Sequence, residues 1–179
     1  KIKKNFLFID NIDEKKINKL KNENKNKLNK ILFIVISKSG NTIETLSNVI
    51  ALNILKKNSK NIILISEKKD NFIYSLSIIK NLYHIEHKKY IGGRYSVLSE
   101  VGMVPAYLMG INIFKLRKNL TKHFSGERKK FLKDSSLVLA NLFKTNRIRT
   151  LIFFNYNPQL DNFLYWCQQL IAESLGKKK

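Results

Sequence analysis

A single cysteine, Cys167, stands among 179 residues, which excludes an internal disulfide framework and any zinc site built on several cysteines. The solitary thiol suits a reducing compartment, and a cytoplasmic location is the default expectation. Long hydrophobic runs are lacking as well. The longest strongly apolar run, Ile31 to Ile36, falls far short of the roughly 20 residues needed to cross a bilayer. The basic N-terminus has neither the apolar segment nor the cleavage site of a signal peptide, so no membrane association is expected. Acid is scarce: 13 Asp and Glu against 34 Lys and Arg leave a formal net charge of +21. Such an excess ordinarily points to nucleic acid, because clustered cations gain affinity by displacing counterions from phosphates. Here the lysines are scattered among Asn and Ile, as in Lys21 to Lys30, and AT-rich codons supply all three residue types without selection for binding. Neither interleaved surface aromatics nor a recognition helix accompanies the charge, and no nucleic-acid partner is expected.

Several motifs are missing too. No G-x-x-x-x-G-K-[ST] loop and no G-x-G-x-x-G fingerprint occurs, which disfavours nucleotides and dinucleotides. His84, His87 and His123 show no metal-ligand spacing, so neither a metal nor a cofactor is expected. No internal repeat is evident.

What is present is an alternation of short β-type runs with longer amphipathic ones, the pattern of an α/β fold in which a parallel sheet is flanked by helices. Strands are predicted at Asn5 to Ile9, Ile31 to Ile36, Asn61 to Ile65, Tyr83 to Glu86 and Arg149 to Asn155. The second and fifth are almost wholly apolar, as central strands should be. Helices are predicted at Asp13 to Asn26, Thr42 to Lys56, Asn71 to Ile79, Ser99 to Met109, Gly126 to Phe143 and Gln159 to Leu175. In the second of these, Ile43, Leu46, Ile50 and Ile54 recur at helical spacing and are expected to face the sheet. A polar stretch from Lys118 to Lys130 puts a domain boundary near residue 123, giving domains 1–122 and 123–179. The chain starts at Lys1 and stops in Lys177, Lys178 and Lys179, and is expected to be a piece of a longer protein.

Three segments carry chemistry. After the second strand come Ser37, Lys38, Ser39, Gly40, Asn41 and Thr42, then a helix. The hydroxyls can donate to phosphate oxygens, Gly40 lets the backbone come close, and the helix N-terminus adds about half a positive charge. Lys38 either adds a point charge or is simply solvated. An ordinary Ser/Thr-rich helix cap would satisfy the same amides with no ligand, and composition alone leaves the two readings balanced. In the second segment, Gly92 and Gly93 bring the backbone into a tight turn beside Arg94, whose planar cation suits an oxyanion or a surface ion pair equally well by chemistry. In the third, Glu173 stands on a helix with Phe163, Trp166 and Leu170 at core spacing; a solvent-facing acid is the ordinary account of it.

The order of these residues adds more. An apolar strand followed by S-K-S-G-N-T-x-E-T is similar to the phosphosugar loop of the sugar isomerase (SIS) domain. The run G-G-R-Y-S-V-L-S-x-V-G at Gly92 to Gly102 and the run W-x-Q-Q-L-x-A-E-S-x-G-K at Trp166 to Lys177 resemble two signatures of glucose-6-phosphate isomerases. With the opening F-x-F-I-D-N-I-D at Phe6 to Asp13, the resemblance covers nearly the whole chain. Where members often have a small residue before the second Val-Gly, this chain has Glu100.

The resemblance implies a Rossmann-like three-layer SIS domain, incomplete at its N-terminus, followed by a linker helix and the start of a second SIS domain. It implies an aldose–ketose isomerase that interconverts glucose 6-phosphate and fructose 6-phosphate through a cis-enediolate, in glycolysis and gluconeogenesis. Glu173 would be the catalytic base and Arg94 the cation for the developing oxyanion. Ser37, Lys38, Ser39 and Thr42 would anchor the phosphate, with Gly40, Asn41, Gly92 and Gly93 supporting the loops. No metal or cofactor is implied. A homodimer is implied for the full-length protein, and the family's ring-opening histidine and its lysine downstream of the glutamate have no match here. A phosphosugar-binding SIS module without catalysis is the alternative; the Arg94 and Glu173 segments speak against it.

Overall fold

The computed structural model describes residues 5–25 and 27–175. It forms two compact units, Lys1–Gly110 and Ile111–Lys179.

The first unit is built on three parallel strands, β1 (Phe33–Ile36), β2 (Ile62–Ser66) and β3 (Tyr83–Glu86), in the order β1-β2-β3. Their registers pair Phe33 with Ile62 and Ile63 with Tyr83. Parallel neighbours need crossovers, and helices supply them. Helix α1 (Glu14–Glu23) precedes β1, α2 (Ile43–Leu52) joins β1 to β2, and α3 (Phe72–Ile79) joins β2 to β3. Local chemistry sets their ends. Asp13 Oδ1 accepts from the Lys16 amide at 3.0 Å to start α1, and Asn71 Oδ1 accepts from the Tyr74 amide at 2.9 Å to start α3. Asn53, in the left-handed region at φ 50°, ends α2 by donating its amide to the Ile50 carbonyl. After β3 come a 3-10 turn, Gly93–Leu98, and α4 (Glu100–Leu108).

The core gathers Val35, Ile62 and Leu64 from the sheet with Ile17, Val49, Leu52 and Ile73 from α1, α2 and α3. Ile65, pointing the other way by strand alternation, is also wholly buried. Each such side chain contributes about 1.5–3 kcal/mol of transfer free energy, and among the described residues none after Ala106 is buried.

Four expectations are corrected. Asn5 to Ile9 and Arg149 to Asn155 are not strands: neither joins a ladder among the described residues, and Phe6, Leu7, Phe8, Ile152 and Phe154 stand exposed. The central strand is β2, with β1 at one end of the order. The face of α2 that meets the core carries Asn48, Val49 and Leu52, while Ile43 and Ile50 point to solvent. At about 100° per residue, Ile43 and Ile50 lie opposite Leu52, so half of the predicted set faces solvent, while Leu46 packs against the core and Ile54, just past the helix, is buried in it.

The second unit contains α5 (Ile113–Arg117), a 3-10 turn at Leu120–Phe124, α6 (Gly126–Lys144), a second such turn at Pro158–Leu160 and α7 (Asp161–Leu175). None of these helices carries a buried residue. On α7, Trp166 and Leu170 are half-buried and Phe163 is exposed, its ring edge-on to Trp166 at 5.9 Å.

Candidate active site

The ends of β1, β2 and β3 lie along one edge of the sheet, because the strands run parallel. In open α/β sheets this carboxyl edge is where ligands bind. Ser37 continues β1, its amide donating to the Ile65 carbonyl at 3.0 Å. Its buried hydroxyl is 2.7 Å from Thr42 Oγ1, closing the loop on itself. Between them the chain turns at Gly40, whose φ is 73°. A methyl group there would lie 1.8 Å from Asn71 Oδ1, so this position requires glycine for conformation and for space.

Asparagines brace the loop from outside. Asn41 Oδ1 accepts from the Phe72 amide at 2.9 Å, and the Gly40 carbonyl accepts from the Ile73 amide at 3.2 Å. Asn71, which caps α3, also donates to the carbonyls of Glu67 and Lys69. The loop is thus held against the start of α3 while Ser39, Asn41 and Thr42 remain exposed. Thr42, the N-cap residue of α2, makes no side-chain capping bond; its hydroxyl turns to Ser37 instead. An ordinary cap would have used that hydroxyl on the helix amides; here only Ser39 Oγ serves a backbone amide of the loop, that of Asn41, at 3.2 Å.

Lys38 points to Glu67, with Nζ 3.6 Å from Oε1, and Lys69 Nζ is 2.7 Å from Oε2. The Lys69 hydrogen bond holds the Glu67 carboxyl below the usual carboxylate range; burial opposes it, and the charges of Lys69 and Lys38 reinforce it.

The arginine turn lies past β3. The Tyr95 amide donates to the Gly92 carbonyl at 2.9 Å, Ser96 Oγ to the Gly93 carbonyl at 2.6 Å, and Ser99 Oγ to the Ser96 carbonyl at 2.7 Å. Arg94 is half-buried, its Nε buried, and its guanidinium carbon lies 5.0 Å from the Tyr95 ring centroid, a cation–π distance. The sharper need for glycine falls later in the segment. A methyl group on Gly102 would sit 1.9 Å from the Val97 carbonyl oxygen, whereas one on Gly93 would meet nothing within 4 Å. Sequence reasoning passed over His87, which is buried beside this turn and paired with Glu100. The departure at Glu100 was the signal for it.

Glu173 belongs to the second unit, on the exposed side of α7, where Gln169 Nε2 donates to its Oε1 at 2.8 Å. Gly176 and Lys177 of the same signature lie outside the described residues. The structure therefore brings the phosphate-loop candidates and Arg94 to one sheet edge of the first unit, and sets Glu173 in the other unit. His84 and His123 join neither segment; His84 Nε2 lies 2.9 Å from Ser66 Oγ. Among the described residues no helix is long and apolar enough to cross a membrane.

Comparison with known proteins extends over the whole chain. The family described as Phosphoglucose isomerase matches residues 1–179. A probable glucose-6-phosphate isomerase of Methanococcus maripaludis is 36% identical, over 96% of this chain and 40% of that protein. The glucose-6-phosphate isomerase of Methanocaldococcus jannaschii is 34% identical, over 98% of the chain and 45% of its own length. That of Prochlorococcus marinus subsp. pastoris is 34% identical, over 97% and 35%. The chain thus spans less than half the length of these relatives. Among solved structures, a hypothetical protein from Thermus thermophilus superposes with a TM-score of 0.74 at 26% identity, over 94% of this chain and 42% of that one.

Proposed function

The chain belongs to the phosphoglucose isomerase family, and we propose that the protein carrying it interconverts glucose 6-phosphate and fructose 6-phosphate. The observation that carries this reading is the loop from Ser37 to Thr42: the Ser37 and Thr42 hydroxyls face each other instead of capping α2, the Ser39 hydroxyl accepts from the Asn41 amide at 3.2 Å, and the loop shares a sheet edge with the Arg94 turn. Relatives named for that activity support it.

Isomerisation moves a proton between C2 and C1 of the open sugar through a cis-enediolate. Ser37, Lys38, Ser39 and Thr42 hold the phosphate, so that binding at one end fixes the reacting carbons at the other. Arg94 stabilises the oxyanion as it develops, a contribution of several kcal/mol in a dry site. Glu173 removes and returns the proton. Gly40, Asn41, Gly92 and Gly93 shape the two loops. Residues 1–122 serve as a SIS domain and residues 123–179 as a linker helix and the start of the next one; the compact units divide somewhat earlier, after Gly110. The working enzyme is a cytoplasmic homodimer in glycolysis and gluconeogenesis.

The test is a coupled isomerase assay on the protein expressed from its full reading frame. Glu173→Gln is expected to lower kcat at least about a hundredfold with KM nearly unchanged, as when a general base is lost. Ser37→Ala with Thr42→Ala is expected to raise KM instead. Near-normal turnover in Glu173→Gln would remove it as the base.

A further inference from the structure

Buried acids and bases outside the catalytic assignments must be explained by what they hold. His87 is such a residue. It follows β3, its amide donates to the Ser66 carbonyl at 2.8 Å, and its side chain has no solvent exposure. Its imidazole reaches two partners. Nε2 lies 3.2 Å from the Ile91 carbonyl oxygen, and Nδ1 bonds Glu100 Oε1. Ile91 is the last residue before the Gly92 turn, and Glu100 is the first residue of α4 after it. One ring therefore joins both ends of the segment that carries Arg94 to the end of the central sheet.

We propose that His87 and Glu100 form a buried strut that fixes the arginine turn, and that both are positioning residues for the isomerase reaction. The role in catalysis rests on the functional reading above; the strut rests on the geometry alone.

A carbonyl oxygen only accepts, so Nε2 carries a proton and donates it to Ile91. Nδ1 and Glu100 then share one further proton, written as imidazolium with carboxylate or as imidazole with carboxylic acid. Either form leaves the pair without net charge, which is what burial of an acid and a base demands. Replacing one member by an apolar residue strands the other and frees one end of the turn. Glutamine at position 100 keeps a donor for Nδ1 at the same reach, with His87 as the neutral Nε2–H tautomer.

Two measurements on the full-length protein test this. In amide hydrogen exchange, His87→Leu and Glu100→Leu are expected to speed exchange at Tyr95 and Ser99, whose amides close the turn, with β2 amides as slow as in the parent. In steady-state assays the same variants are expected to lose about ten- to a hundredfold in kcat, as misplacement of a catalytic group does, with KM within about twofold because the phosphate loop is untouched. Glu100→Gln is expected to restore both readouts to within about threefold, and the double leucine variant to be no worse than His87→Leu, as for members of one unit. Unchanged exchange at Tyr95 and Ser99 in Glu100→Leu, the milder change because Glu100 is partly exposed, would overturn the strut. Loss of protection throughout β2 would also overturn it, by making the pair a general core element. An inactive parent with the expected exchange pattern would overturn the isomerase reading and the positioning role, and leave the strut standing.

Discussion

Gly40→Ala and Asn71→Ala, made singly and together, give a sharp test of how the phosphate loop is held. An alanine at φ 73° carries about 1–2 kcal/mol of left-handed strain. Its methyl group would also lie 1.8 Å from Asn71 Oδ1 and 2.2 Å from Asn71 Cγ, so the asparagine must leave. Its departure removes the α3 cap, worth about 1 kcal/mol. It also removes the bonds to the Glu67 and Lys69 carbonyls, at about 0.5–1.5 kcal/mol each. Gly40→Ala should thus cost about 3–6 kcal/mol, and Asn71→Ala alone about 2–4. In the double variant the two shortest contacts are gone, although the Cβ that alanine keeps at position 71 still lies 2.8 Å from the new methyl group. Adding Gly40→Ala to Asn71→Ala should thus cost the strain, about 1–2 kcal/mol, and the small shift that relieves this contact. Native-state exchange of the β2 amides reads the opening free energy of this unit. The expected result is a double variant better than the singles predict by addition, by up to about 2–4 kcal/mol. Additivity within about 0.5 kcal/mol, as for distant sites, would refute the claim that Asn71 is what Gly40 makes room for.

Two further predictions concern pH. The Glu67 carboxyl is held below its ordinary value of 4.5 by the Lys69 hydrogen bond, with lysine charges assisting and burial opposing. The unfolded chain therefore takes up this proton first, so the stability Glu67 gives is fully present above about pH 4.5 and is lost as pH falls through the folded value. Thermal melts between about pH 3 and pH 6 should be flatter in Glu67→Gln, and an equally steep loss would remove Glu67 as the cause. For His84, burial lowers the pKa from its ordinary 6.5, with Glu86 pulling the other way and Lys68 adding to the fall. The neutral ring is favoured in the fold, so its contribution is fully present above about pH 6.5 and declines as pH drops below it. An NMR titration of the His84 ring should give a midpoint below that of a histidine in the unfolded chain; a midpoint above it would contradict this.

Legibility in the sequence followed the range of the interactions involved. Asp13 as a cap depends on three residues of spacing, and its bond to the Lys16 amide is present. Strand β3 coincides with the predicted Tyr83 to Glu86, and the α/β class follows from alternation that any helix or strand shows along its own length. Leu151 to Phe154, the middle of the predicted fifth strand, is as apolar as β1, but a strand exists only with a ladder partner, and composition does not supply one. The α2 stripe was only half right for a related reason: Leu46 and Ile54 reach the core, but Ile43 and Ile50 are as hydrophobic as Val49 and Leu52, and the choice between faces is made by tertiary packing. Within the site, the loop residues were legible because their order is distinctive. Their supports, Asn71, Glu67 and His87, come from other strand ends and carry no local signal of partnership.

Those supports tie the loops to the sheet. Ser37, Glu67 and His87 are the first residues past β1, β2 and β3, and all three are polar yet buried, at 5%, 7% and 1% exposure. Backbone bonds lace the row together, from the Ser37 amide to Ile65, the Glu67 amide to Lys38 and the His87 amide to Ser66. Burying a polar group costs free energy unless it is bonded, and each of these finds its partner farther along: Ser37 in Thr42, Glu67 in Lys38 and Lys69, His87 in Ile91 and Glu100. Releasing a loop from the edge would leave its buried anchor unsatisfied, so the cost of burying polar groups becomes the energy that keeps the phosphate and arginine loops in place. Apolar residues in this row would give a core of similar stability while leaving both loops free to move, and for the proposed isomerisation, which would depend on a fixed cation and a fixed phosphate, that is the worse arrangement.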